Sequence, residues 1–130
     1  MSTTKPFYPH DSDSRIMMKK DRAEVENWVD DLEYVNEELE YLLDIEDKLV
    51  NSPRLYEQMQ VAQKENKLRA KELKRYANIM ENTLECDTVE CDAHYLSKHE
   101  KNRNVYVDHV KKYRDLKTKV LSKILLNAKK

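Results

Sequence analysis

VENWVDDLEYVNEELEYLLDIEDKL, residues 25–49, decides the fold. Val25, Trp28, Leu32, Val35, Leu39, Leu42 and Leu49 recur at alternating spacings of three and four, with Glu46 the polar interruption. Such spacing is the seam of a long helix packed lengthwise against other helices. Val29, Leu43 and Val50 lie at multiples of seven residues beside it, which widens a coiled-coil-like stripe into the face of a bundle. The rest of the chain reads as partners for this helix.

Composition narrows the architecture. The 130 residues make one expected domain, 38% charged and 39% hydrophobic, with no glycine at all. Turns that need a positive φ must therefore be few and built on Asn, Asp or Ser. A few long helices with short loops fit this better than hairpin-rich sheet. The net charge of −1 argues against whole-molecule attraction to nucleic acid or an anionic membrane. No apolar run approaches the roughly 20 residues that span a bilayer, and the amino-terminal MSTTKPFYPHDSDSR lacks the apolar core of a secretory signal. Two cysteines in such a chain are expected to be reduced thiols. A cytoplasmic location is expected.

Working outward from the seam, residues 1–13 read as a disordered leader, and Ser12, Asp13 and Ser14 are competent caps for a first helix over about 14–50. Asn51-Ser52-Pro53 is the clearest boundary. Ser52 can cap the second helix, and Pro53 suits its first position, where no backbone donor is required. So short a loop turns the second helix, about 53–85, antiparallel to the first. Its heptad positions include Asn66 and Arg69, so its middle is weak. The second connection, Cys86 to Asp92, leaves the start of the third helix open between Thr88 and Ala93. That helix, about 90–127, carries Tyr95, His99, Asn102, Tyr106, His109, Tyr113, Leu116, Val120 and Ile124 on its seam. Twelve acids against four bases between Lys19 and Lys48, and eleven bases against three acids from Lys98 onward, favour setting helices one and three side by side.

The residues that could carry chemistry are few. Cys86, Cys91 and His94, with His99 beyond, are ligand types that zinc accepts. His94 and His99, however, lie about 140° apart around a helix, so a structural zinc site is not expected. His99, level with Val25 and Asn78, and Asn102, level with Arg75, predict a polar core layer of His99, Asn102, Asn78 and Arg75. Glu24, Asn78 or water would be the partner of His99. Gly-rich phosphate loops, Glu-x-x-His pairs and nucleophile elbows are absent from the sequence, and no catalytic residue or cofactor is expected.

Trp28-x3-Leu32-x-Tyr34, Glu38-Leu39 and His94-x4-His99-Glu100 together resemble a family of short bacterial helical proteins of uncharacterised role. The resemblance covers most of helix one and the start of helix three. It implies a three-helix fold and no activity, and the Cys86/Cys91 loop has no counterpart in it. The expectation is an all-α, elongated three-helix up-down-up bundle with a structural or protein-interaction role, whose unidentified protein partner could be a second copy. Val61, Leu68, Ile79, Val105, Leu121, Leu125 and Leu126 lie off the seams. Leu121, Leu125 and Leu126 are the candidate partner-facing residues, because helix three is expected to overrun the Asn51 turn. A metal- or redox-responsive role at the Cys86/Cys91/His94 corner, and nucleic-acid association through the basic third helix, are the alternatives.

Overall fold

The computed structural model describes the backbone of residues 13–82 and 89–128 and the side chains of 16–80 and 93–128. It is all-α, with three helices. The expected leader, Cys86 and the side chain of Cys91 lie outside the described residues. Helix α1 spans Asp13–Ile45 and passes directly into a π-helical turn, Glu46–Val50. Helix α2 spans Pro53–Asn82, and α3 spans Val89–Ala128. At 40 residues and about 1.5 Å per residue, α3 is about 60 Å long. Among the described residues no helix is long and apolar enough to cross a membrane.

Side-chain contacts fix the direction of each helix. From one end of α1 to the other its hydrogen-bonded partners on α3 lie 74–79 residues later, from Asp21 with Tyr95 to Leu49 with Asn127. A constant separation means that α1 and α3 run side by side in the same direction. Between α2 and α3 the numbers run oppositely, Tyr76 meeting His99 and Glu65 meeting Lys112. Helix α2 opposes α1 in the same way, with Lys74 beside Glu33 and Ser52 beside Glu46.

The turn between α1 and α2 shows how a chain without glycine reverses. Asn51 takes the left-handed conformation, φ 55°, and its N–H donates to Glu46 O at 2.6 Å. Asn tolerates that region better than other non-glycine residues. The Ser52 hydroxyl accepts the Leu55 N–H at 3.5 Å, and the Ser52 N–H donates to Glu46 Oε2 at 2.5 Å. Glu46 is thus a buried cap, 1% exposed, reaching from the end of one helix to the start of the next. The sequence marks it only as a break in the seam. Leu49, expected in that seam, is 61% exposed. A π turn takes more residues per revolution than 3.6, so positions after Glu46 rotate off the stripe that the preceding spacing defines.

The core has two apolar compartments. One gathers Val25, Trp28, Val29 and Leu32 with Leu73, Tyr76, Ala77 and Met80. The other gathers Leu39 and Leu42 with Leu55, Met59, Tyr113 and Val120. Each fully buried aliphatic side chain contributes about 1.5–3 kcal/mol relative to exposure. Asn66 and His109 are buried and hydrogen-bonded to one another, at the level where one compartment gives way to the other.

Candidate functional site

The seam tyrosines of α3 are long enough to cross to α1, and there they find acids. Tyr95 donates to Asp21 Oδ2 and Tyr106 to Asp31 Oδ2, each at 2.6 Å, and Tyr113 donates to Glu38. The charge partition acts through the same positions, Arg103 pairing with Glu24 at 3.0 Å and Lys117 with Glu38 at 2.9 Å. Exposed or half-exposed pairs of this kind contribute only ~0.2–1 kcal/mol each. Hydroxyl-to-carboxylate bonds on the edge of the core hold their donor neutral. Burial, then the acceptor carboxylate, raises the pKa of Tyr95, Tyr106 and Tyr113. Burial and the charge of Asp21 push Tyr76 to about 12.

His99 is the centre of the upper polar layer, 3% exposed. Its Nε2 faces Glu24 Oε1 at 3.0 Å, and its Nδ1 meets the Tyr76 hydroxyl at 2.9 Å. A carboxylate only accepts, so Nε2 carries the proton, and in the neutral ring Nδ1 accepts from Tyr76 Oη. The ring is sandwiched among aromatics. Trp28 stacks on it at 5.6 Å between centroids and Tyr95 at 6.0 Å, and Tyr106 in turn stacks on the Trp28 indole at 5.0 Å. Burial raises the Glu24 pKa, but the hydrogen bonds from Arg103 and His99 outweigh it, so the net shift is downward. A tyrosine–histidine–carboxylate chain is the arrangement of a proton relay. Here both Tyr76 and His99 are buried, and the chain ends on Glu24, whose side chain is 36% exposed.

Of the expected layer, His99 alone is buried. Asn78 and Arg75 are exposed, and Asn102 is half-buried and donates to Lys98 O of its own helix at 3.0 Å. The reason is rotation about α2. Leu73, Tyr76, Ala77 and Met80 hold the inward face, which turns Arg75 and Asn78 outward and makes Tyr76 the partner of His99. Glu24 serves as the second partner, as the sequence level suggests. Asp21, Tyr95 and Arg103 were missed. Their signal was present in the repeated spacing of seam tyrosines on α3 and acids on α1, which the count of formal charges obscured.

Asp21, Glu24 and His99 each offer one ligand atom, and these lie within 4.8 Å of one another. Tyr95 donates to one oxygen of Asp21, and Arg103 and the His99 N–H donate to Glu24, so the guanidinium already brings positive charge to this group. Of the candidate metal ligands Cys86, Cys91 and His94, the only described side chain is that of His94, which is exposed.

The lower layer is simpler. Asn66 Nδ2 donates to Leu32 O at 2.7 Å, and Asn66 Oδ1 stands 2.9 Å from His109 Nε2. His109 Nδ1 faces Glu65 Oε1 at 3.6 Å, too long for a hydrogen bond. Glu65 also accepts from Lys112 at 3.1 Å. Burial lowers the His109 pKa against the opposing pull of Glu65.

Replacing His99 by leucine should cost about 1–3 kcal/mol, because it strands the Tyr76 hydroxyl while Arg103 still satisfies Glu24. Helicity should stay intact. Urea unfolding followed by circular dichroism reads this directly, and a variant as stable as the parent would show that the Tyr76 bond contributes nothing.

No protein-family model matches this chain, and none of the curated proteins or solved structures compared with it is similar at a significant level.

Proposed function

We propose that this chain is a non-enzymatic structural or protein-interaction bundle of the cytoplasm, presenting helical surface to a protein partner that includes a second copy of itself. The observation that carries the reading is on the outside. The seven off-seam apolar side chains named above are all exposed, from 37% at Val105 to 65% at Leu125. They accompany Tyr34 and Tyr41, each over 70% exposed on α1. Exposed apolar side chains in this number are the raw material of contact sites. At the carboxyl end, Leu121, Leu125 and Leu126 are open although α3 does not overrun the turn, since Asn127 donates to Leu49 O at 3.2 Å. They sit on outward faces of α3 rather than beyond its neighbours.

The polar groups point the same way. The Asn66–His109 pair and the Tyr76–His99–Glu24 chain are where an isolated bundle would carry aliphatics, and such groups fix register and partner choice at some cost in stability. The basic residues of α3 are partly spent inside the molecule, Arg103 on Glu24, Lys112 on Glu65 and Lys117 on Glu38. That weakens the case for phosphate contacts.

Sedimentation velocity over a wide concentration range tests the self-association arm. The sedimentation coefficient should rise with concentration, and Leu125→Glu with Leu126→Glu should hold the protein at the monomer value. A monomer at every concentration removes self-association. Recovery of the same material by wild type and by the double glutamate variant from a host lysate would then remove this surface as the contact.

A further inference from the structure

A cleft of about 190 Å³ opens between α2 and α3, floored by Val35 of α1 and walled by Val61 and Leu116. Two polar atoms in its lining have no hydrogen-bond partner. His109 Nδ1 and Gln58 Oε1 are both buried and unmatched, and His109 as a whole is more than nine-tenths buried. Unpaired buried groups cost about 1–3 kcal/mol each, so two in one cleft call for an explanation.

The hydrogen bonding states what would satisfy them. Leu32 O can only accept, so the Asn66 group facing it is the amide nitrogen, and Oδ1 is left facing His109. The Nε2 of His109 therefore carries the proton, and in the neutral ring Nδ1 presents a lone pair. Burial lowers the pKa of this imidazole, which keeps it neutral at pH 7. Gln58 Oε1 is a second acceptor, and Glu65 Oε1, 3.6 Å from Nδ1, is a third. Glu65 Oε1 is already met by Lys112 at 3.1 Å, which leaves His109 Nδ1 and Gln58 Oε1 as the open acceptors for a donor brought by a ligand.

We propose that this cleft binds a small, largely apolar molecule, about the size of one aromatic ring, that carries a hydroxyl or N–H donor for His109 Nδ1 and Gln58 Oε1. The apolar body would lie on Val35, Val61 and Leu116. Size permits it, since an apolar cavity of about 150 Å³ accommodates benzene. A single water, about 30 Å³, matches an acceptor but leaves the apolar walls unfilled. The site shares only Val61 with the exposed residues on which the interaction reading rests, and its acceptors His109 and Gln58 are not among them.

Phenol and anisole are the probes, because they share a ring and differ in the donor. Titration of the full chain, followed by amide and imidazole nitrogen NMR, should shift Val35, Val61 and Leu116 and move the His109 Nδ1 resonance. Phenol should bind at least about ten-fold tighter than anisole. In His109→Leu that ratio should fall to about one, and Ala62→Met, which narrows the cleft, should remove both. The Nδ1 resonance provides the test in unmodified protein if either variant fails to fold. Equal affinity for the two probes, shifts that leave Nδ1 unmoved, or no response near saturation of the probe would each overturn the proposal.

Discussion

Raising the pH above about 10 should destabilise the bundle steeply. Four tyrosine hydroxyls, those of Tyr76, Tyr95, Tyr106 and Tyr113, have pKa values raised above the ordinary 10.0, burial being the largest cause in each. A group whose folded pKa lies above its unfolded one favours folding while it is protonated. Its contribution is complete below the unfolded value and declines as the pH rises from there toward the folded value. Each hydroxyl contributes a slope of up to ~1.4 kcal/mol per pH unit, so four together reach up to about 5 kcal/mol in the first unit. That is a large part of the 5–15 kcal/mol typical of a whole domain. Urea midpoints measured from about pH 8 to about pH 11 should fall steeply in the upper part of that range. Tyr113→Phe should flatten the alkaline limb by about one quarter, in keeping with one group of four. A midpoint constant across the range would mean that these hydroxyls ionise as readily in the folded chain as in the unfolded one.

The second large effect is expected at Asn66. Asn66→Ala should destabilise by about 2–4 kcal/mol, combining about 1–3 kcal/mol for the stranded imidazole N–H with the cavity left by the side chain. Leu32 O keeps its place in the hydrogen-bond ladder of α1, so most of the loss falls on His109. Removing both partners is a different experiment. Asn66→Leu combined with His109→Leu takes the unmatched donor and acceptor away together, and its stability should return close to the parent or exceed it. Denaturant unfolding of the single and double variants completes the cycle. The expected sign is a coupling that favours the pair over either single replacement. An Asn66→Ala variant within about 0.5 kcal/mol of the parent would mean that solvent or a shift of α3 replaces the bond. If the double variant is stable but changes oligomeric state, the pair serves register more than stability.

What the sequence by itself determined is the set of elements and their facing surfaces. Three-and-four spacing over 25–49 marks a buried stripe regardless of partner, because an α-helix brings residues three and four apart onto one face. Every seam position that it assigned to α3 from Tyr95 to Ile124 is buried or half-buried. The absence of glycine and the Ser52-Pro53 pair fixed a reversal at Asn51, where the left-handed residue is found. His99 was legible as a buried polar residue because a histidine on a seam has nowhere else to go. Tertiary structure decided the rest. The inward face of α2 holds Leu73, Tyr76 and Met80, so Tyr76 meets His99, while Arg75 and Asn78, about 100° and 160° further round the helix, face outward. The π turn removed Leu49 from the core and made Glu46 a cap, since a change in residues per turn is set by the demands of the reversal rather than by local propensity. The tyrosine–acid bonds across α1 and α3 depend on a constant separation of about 75 residues between partners, which exists only once a third helix lies between them in sequence. The unmatched Nδ1 of His109 is also a product of assembly. Asn66 chooses which ring nitrogen keeps the proton, and the packing of three helices determines what the other one faces.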